Sequence, residues 1–435
     1  MMNTSKDSVM VAVPSTVNLP SGADGDRWAI FLARLMLLTA QTPERRHQGH
    51  LIGMHRSELK RMLGRTYRNR INDMRDAGVI DINDRYCSGA TEAFPNASAF
   101  PKSYRLTTAH RHGAASLHCL ETKPAQKIAS IIREIDPKNL GEAGQHFHGL
   151  FDRFSISPMA IAGETDHWTA WTIARWVNGD DFAQRCEYRR YHSLSTQTPR
   201  SIRNHLRADG DSLAVIDVSA CQPVLLAFAV AHQLTPVRTT NGEPLLPYVA
   251  RFSGGELWRN KVPVDLRRWL DLSESREIYP HFREAVLAMN GPVNAQITLD
   301  DGRCITIDLR ELPETSFKRA TLIPLFDTAE ATVRSPLFQI MQRDFPTVSA
   351  YVLKTKLQRH QDTACLLQHL ESLLMIDGCG EYLAKHHPDE PVQPIHDALM
   401  VRPAFADDAA HIIRDQFNRI GLNPRVKIDT FSTAA

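Results

Sequence analysis

No apolar run in this sequence approaches the roughly 18–20 residues that a membrane-spanning helix requires. The short apolar segment near its start, Val9-Met10-Val11-Ala12-Val13, is closed by Pro14, too early for the core of a signal peptide. The seven cysteines, at 87, 119, 186, 221, 304, 365 and 379, follow neither a zinc spacing nor a paired disulfide framework. They suit free thiols in a reducing compartment, so a cytoplasmic protein without membrane contact is expected. An excess of one charge is lacking too: 51 Lys and Arg stand against 49 Asp and Glu, a net of +2. That balance excludes a globally basic chain and leaves any polyanion binding to local clusters.

What is present is an ordinary globular composition over 435 residues, enough for two or three domains. Residues 1–25 are rich in Ser, Asn, Gly and Pro and read as a disordered N-terminus. Trp28 to Leu38 has helical length. Two shorter helices, Ser57 to Gly64 and Tyr67 to Gly78, each end on a glycine. Strands at Val79 to Ile82 and Lys102 to Leu106 follow. Helices and then a two-stranded wing suggest a winged helix-turn-helix unit, with Arg65, Arg68, Arg70 and Arg75 on its second helix suited to phosphate contacts. A solvated basic face is the plainer alternative.

Further on, His146-Phe-His148 is a weak metal signal. Trp168, Trp171 and Trp176 lie on one predicted helix as a core stripe. Thr198 and Pro199 open a further predicted helix, with Arg200, Arg203 and Arg207 on one face. That face leads into Leu213-Ala-Val-Ile-Asp217-Val-Ser-Ala-Cys-Gln222-Pro223, a buried strand running into a carboxylate. Pro394-Ile-His-Asp397-Ala-Leu-Met-Val401 has the same character. Two buried carboxylates brought together cost several kcal/mol each without a cation, so Asp217 and Asp397 point to a divalent metal site. Between them lie amphipathic helices near Trp269 and from Glu277 to Met289, and a hairpin across Asp301-Gly302. A mainly helical stretch from 314 to 375 follows, its last helix apolar but for Gln368 and Glu371.

These motifs, in this order, resemble those of family A DNA polymerases, the DNA polymerase I superfamily, which also holds the phage-type single-subunit RNA polymerases. Asp217-Val-Ser219-Ala-Cys-Gln222-Pro is similar to the family's D-Y-S-x-x-E-L, and Ile395-His396-Asp397-Ala to its V-H-D-E. Tyr188-Arg-Arg190-Tyr-His-Ser193, followed by Pro199-Arg200-Ser-Ile-Arg203, resembles T-G-R-x-S-S followed by N-I-P-x-R. Leu367-Gln368-His-Leu-Glu371 stands where the family has P-x-Q-G-x-A-A-D. The fold implied is α+β: an N-terminal winged-helix domain (26–110), a helical connector or reduced thumb (111–186) and a right-hand palm. The palm, an antiparallel sheet, is split into 187–255 and 381–435 by a fingers-like helical insertion (256–380).

The resemblance implies that Asp217 and Asp397, helped by the Val218 carbonyl, ligate two Mg²⁺ or Mn²⁺ ions for phosphoryl transfer. It implies that His396 supports a primer terminus and that Arg190 and Arg203 contact DNA template-primer or hold the palm, with Arg200 and Gln368 as further candidates for nucleic-acid contact; Arg65 and Arg68 are candidates from the winged-helix pattern instead. Gln222 would face the incoming nucleoside triphosphate. The family's R-x-x-x-K-x-x-x-F-G helix has no clear match; Lys318 and Arg319 are the candidates for the triphosphate, with Pro324 interrupting that helix. Two departures stand out. Gln222 replaces the glutamate that excludes a 2′-hydroxyl, and Ala398 replaces the acidic residue after the second aspartate, as in the RNA polymerase branch. A non-catalytic DNA-binding initiator or regulator with a degenerate palm, and an RNA polymerase or primase, are the competing readings.

Overall fold

The computed structural model describes residues 9–40, 51–85, 101–111, 114–133, 139–157, 160, 166–186, 189–234, 255–291, 293–298 and 304–431. The first eight residues, the wing loop at 86–100, Tyr188 and the Asp301-Gly302 turn therefore lie outside the described residues. The chain is α+β, with many helices and small antiparallel sheets.

The described part of the N-terminal segment corrects the expectation of disorder. Val9–Pro14 (β1) pairs antiparallel with Ala115–Leu120 (β5), Val9 opposite Leu120. Val11, Ala12 and Val13 are buried, so this edge of the chain is held by packing that no local signal announces. Gly22–Ala40 (α1) follows, and its Ile30, Phe31, Leu32, Leu35 and Met36 lie at the centre of the first core. Ile52–Gly53 (β2), Arg56–Leu63 (α2), Tyr67–Asp76 (α3), Ile80–Asn83 (β3) and Ser103–Leu106 (β4) complete this unit as two helices against a three-stranded sheet of order β2-β4-β3. Gly64 and Gly78 end the helices at φ 80° and 70°, the left-handed region that a side chain disfavours.

The arginines divide here. Arg65 precedes α3 and is exposed, and Arg68 is exposed beside Tyr67. Arg70 is structural: it donates to Asp24 (2.8 Å) and to the Leu63 carbonyl (2.6 Å). Arg75 pairs with its neighbour Asp76.

The first core also takes in β5 and the helix Lys123–Arg133 (α4), which the sequence assigned to a connector. One residue shows why. Asp26 of α1, 1% exposed, accepts hydrogen bonds from the backbone N–H groups of Glu121 (3.1 Å) and Thr122 (2.7 Å) and from the Thr122 hydroxyl (2.6 Å). Burial alone would raise its pKa, but these donors hold it below the ordinary 3.8. Asp26→Ala is expected to cost about 2–3 kcal/mol by stranding the donors. The folded carboxyl titrates below the unfolded one, so its contribution is present above pH ~4 and lost as pH falls through the folded value. Urea titrations should show the variant differing from the parent at pH 7, with the difference shrinking as the pH is lowered below ~4.

Gly141–Gly149 (α5), Phe154–Ile156 (β6) and His167–Val177 (α6) lead to the hairpin of Ala183–Arg185 (β7) and Tyr191–Ser193 (β8). Asp166 caps α6 by accepting from the N–H groups of Trp168 and Thr169. Trp176 is buried against Phe151, ring centroids 5.0 Å apart, whereas Trp168 and Trp171 are half-buried, so the expected core stripe holds fully only at Trp176. The expected helix from Thr198 through Arg207 is only Arg200–Arg203, with Pro199 at the N-cap position. Leu206–Ala208 (β9) leaves it to pair with β6, so Arg207 does not share a face with Arg200 and Arg203.

Ala214–Val218 (β10), Cys221–Ala231 (α7), Val264–Glu274 (α8), Ile278–Leu287 (α9), the hairpin Asn294–Thr298 (β11) with Cys304–Asp308 (β12), and Glu314–Phe326 (α10) come next. Pro324 does not interrupt α10. It sits in the last turn, where one backbone bond is forfeited, and the Asp327 N–H closes the end on Ile323. After Pro346–Gln358 (α11), Asp362–Ser372 (α12) runs into a π-helical turn, Leu373–Gly378. Gln393–Ile395 (β13), Ala398–Val401 (β14), Ala406–Arg419 (α13) and Val426–Thr430 (β15) close the chain.

The largest sheet has the order β13-β14-β10-β15, all antiparallel. Ala214, Ile216 and Val218 face a core shared with α7 and α13, while Val215 faces a second core with Phe154, Ile173, Leu206 and Met400. The sheet is thus covered on both sides. Among the described residues no helix is long and apolar enough to cross a membrane.

Candidate functional site

Strand β10 is central in its sheet because its neighbours arrive from the far end of the sequence. Asp217 lies opposite Ala398 of β14 and opposite Lys427 of β15. The Val218 N–H donates to the carbonyl of Asp397 at 3.1 Å, which fastens the end of β10 to the β13–β14 turn. That turn holds only His396 and Asp397, since Ile395 already pairs with Ala398. Asp397 is therefore a turn residue rather than the strand residue expected. His396 takes φ 58° to make the reversal, and the arrangement places Asp397 within reach of the Asp217 charge, next to Ala398, the residue opposite Asp217.

Beyond Val218, the Ser219 N–H donates to the Arg425 carbonyl (2.9 Å) and Ala220 turns left-handed at φ 53°. Helix α7 then starts, placing Gln222 in its first turn. The Gln222 amide donates to the carboxylate of Glu371 on α12, whose other oxygen lies 3.4 Å from Arg190 Nη2. Glu371 is 1% exposed. The buried Gln/Glu pair that looked unexplained in the sequence thus separates: Glu371 belongs to the site, and Gln368 sits half-buried one turn earlier.

The charges converge. Burial, then Glu371, then Asp217 push the Asp397 carboxyl up to about 8, with Arg190 only partly opposing. Burial followed by Asp429 raises Asp217, against Lys427, Arg276 and Arg200. Burial raises Glu371, opposed by Arg190 and Gln222. Two bystanders locate the same spot: burial raises the Cys221 thiol and all three carboxylates add to it, while burial and then Asp397 lift Tyr279 to about 12.

Cationic side chains lie close to the same turn. Burial lowers His396 to about 4, and Arg190, His192 and Arg203 push the same way. Burial, with Arg200 adding, lowers Arg203, whose Nε donates to the Thr198 carbonyl at 2.9 Å. Three buried polar atoms within this constellation make no hydrogen bond: Gln222 Oε1, Arg190 Nε and His396 Nδ1.

The residues suit a divalent cation. Among the described residues neither Asp217 nor Asp397 has a hydrogen-bonded or ion-paired side-chain partner, so their negative charge is answered only from a distance. Asp217, Asp397 and the Val218 carbonyl would be its ligands. Among the described residues no group of three or more His, Cys, Asp or Glu side chains forms a ready-made metal cluster.

A folded carboxyl above its unfolded value destabilises the protein as pH rises, here from ~4 to about 8. A cation that binds the ionised form removes that cost. Saturating Mg²⁺ or Mn²⁺ is expected to raise the melting temperature by several degrees at pH 8 and by less at pH 6, corresponding to about 2.7 kcal/mol at a hundredfold excess over Kd. Equal shifts in the parent and in Asp397→Asn would contradict this.

Other predicted residues lie further out. Lys318 on α10 pairs with Glu314 (2.5 Å) and lies 6.0 Å from the Tyr279 ring centroid. Arg319 is exposed. Arg65 and Arg68 belong to the N-terminal unit. Arg276 and Tyr279, at the start of α9, face the site without any signal in the sequence that would have singled them out. No protein-family model matches the chain, and no curated protein is similar enough to it to count as a match.

Proposed function

We propose that this chain is a nucleotidyltransferase resembling family A DNA polymerases, which extends a nucleic-acid 3′ end by two-metal-ion phosphoryl transfer. The observation that carries the reading is the approach of Asp397 to the end of β10, fastened by the Val218–Asp397 backbone bond, where the charge of Asp217 reaches it and Arg190 partly opposes. The four-stranded antiparallel sheet supports a palm, and the helical stretch between β10 and β13 supports fingers. The helix pair with its three-stranded sheet, and the exposed Arg65 and Arg68, support a winged-helix DNA-binding unit.

Mg²⁺ or Mn²⁺ held by Asp217, Asp397 and the Val218 carbonyl would activate the attacking 3′-hydroxyl and stabilise the leaving pyrophosphate. The protein's own groups do the rest. His396 is neutral at pH 7, so its free Nδ1 acts as a hydrogen-bonding guide for the primer end rather than as a cation. Arg190, Arg200 and Arg203 hold backbone phosphates, and Lys318 and Arg319 reach the triphosphate. Gln222 offers Oε1 to the nucleotide sugar while Glu371 fixes its amide.

A primer-extension assay with Mg²⁺ and Mn²⁺, supplying dNTPs and rNTPs separately, tests the reading. Incorporation on a primed template supports it, and a preference for rNTPs moves the chain to the RNA polymerase or primase branch. DNA binding without incorporation on any template would leave the second reading, a DNA-binding initiator or regulator with a degenerate palm. The pairing of Lys318 with Glu314, which diverts a triphosphate-contact candidate, favours that alternative.

A further inference from the structure

The corner between α8 and α9 is tied to the turn that follows Asp217. At the end of α8 the Glu274 carbonyl accepts from the Arg425 N–H (3.2 Å), and the Arg425 carbonyl accepts from the Ser219 N–H (2.9 Å). The Trp269 indole of α8 adds a bond to the Pro223 carbonyl in α7 (2.9 Å). Arg276 follows Glu274 by two residues and stands at φ 69°, a left-handed conformation that a side chain disfavours.

Other arginines around this corner are committed. Arg259 pairs with Glu274 (2.5 Å), and Arg267 donates to the Asn260 carbonyl (3.1 Å). Arg283 of α9 donates to the carbonyls of Leu312 and Arg310 (2.6 and 3.2 Å) and lies 4.9 Å from the Phe317 ring, which holds α9 against the start of α10. Arg276 differs. It is half-buried, and among the described residues its guanidinium has no hydrogen-bonded or ion-paired partner. Its charge reaches both Asp217 and Glu314, in the first turn of α10.

Glu314 marks where an anion settles. Its side chain is 80% exposed, yet it bonds to Lys318 at 2.5 Å, and Lys318, then Arg276 and Arg283, hold its carboxyl below the ordinary value. Lys318 Nζ also lies 6.0 Å from the ring of Tyr279, whose phenol feels the charges of Asp397 and Arg276. Lys318 and the unpaired Arg276 thus act on one solvent-facing carboxylate, and Arg276 acts on Asp217 as well. An exposed ion pair four residues apart on a helix is weak and screened by salt. A polyphosphate, with several negative charges, outcompetes it.

We infer that Arg276 and Lys318 together hold the polyphosphate of the substrate, and that Glu314 is the side chain the polyphosphate displaces. That the polyphosphate belongs to a nucleotide rests on the proposed transfer reaction; the anion site rests on the cations alone.

Calorimetric titration of the full chain with inorganic tripolyphosphate, in metal-free buffer near neutral pH, tests the site apart from the reaction. The parent is expected to bind it. Arg276→Gly suits the left-handed backbone and should weaken binding at least about tenfold. Glu314→Gln, at an exposed position, should tighten it about threefold by removing the competing carboxylate. Glu330→Gln takes the same charge from another exposed pair, with Arg334 at 2.6 Å, and should change binding by less than about twofold. Binding that depends on Arg276 in a protein without primer extension would keep the site and discard the transfer reaction. Primer extension by a protein whose tripolyphosphate binding ignores both Arg276→Gly and Glu314→Gln would keep the reaction and discard the site. No binding by the parent, or equal effects of the Glu314 and Glu330 variants, would also overturn the inference. Glu314→Gln decides the question if Arg276→Gly fails to fold.

Discussion

Asp397→Asn is expected to lower nucleotide incorporation by at least about a thousandfold while making the metal-free protein harder to unfold. The first half follows from losing a cation ligand whose electrostatic contribution is worth several kcal/mol, at about 1.4 kcal/mol per tenfold in rate. The second half follows from the surroundings of Asp397. Burial, Glu371 and Asp217 all oppose its ionisation, and among the described residues no cation is bonded to it. An amide of the same shape removes that opposition, a gain of a few kcal/mol above pH 7. Asp217→Asn should lose activity to a similar degree but gain less stability, because Lys427, Arg276 and Arg200 already answer its charge. Primer extension and metal-free melting on the same preparations check both halves. A variant that keeps a tenth of the activity, or that melts lower than the parent, contradicts the assignment.

Asp377→Ala is expected to cost about 3–5 kcal/mol, the usual price of stranding a buried charge. Asp377 lies in the π-helical turn after α12 and meets Arg185 of β7 in a two-pronged pair, 2.6 and 3.1 Å, with both side chains under 10% exposed. Arg185 also donates to the Arg189 carbonyl at 2.8 Å. The pair therefore fixes the β7–β8 hairpin, and with it Arg190, against the helix that carries Glu371. Urea unfolding measures the loss. The double variant Arg185→Met/Asp377→Leu should recover most of the stability, since an apolar pair of similar volume replaces the ions, but not the incorporation rate, since Arg190 is no longer positioned. A cost below about 1 kcal/mol for Asp377→Ala would mean that the buried pair anchors nothing.

Much of the site could be read from the sequence because its central strand is short, apolar and closed by a carboxylate. The segment around His396-Asp397 was legible as strand, although Asp397 itself falls in the turn, and the helices ending at Gly64 and Gly78 were legible because their stop signals are local. What failed was whatever depends on distant partners. β1 looked like a tail because its partner β5 lies far along the chain. Arg207 left the helical face of Arg200 because β9 gains more by pairing with β6 than by continuing a four-residue helix. Glu371 was conspicuous as a buried acid, yet its partners Arg190 and Gln222 come from other elements, so only the folded chain could name them. Arg276 and Tyr279 carry no local signature at all.

The turn at His396 and Asp397 has a consequence for how such a chain can diverge. Its two residues join β13 to β14, and β14 pairs with β13 on one side and β10 on the other, so one inserted or deleted residue between Pro394 and Met400 would turn the carboxylate away from Asp217. Between β11 and β12, a peripheral two-stranded hairpin, the chain is under no such restriction. Relatives that keep the activity are expected to vary freely in length there, and to keep a fixed residue count through the short hairpin that ends in Asp397.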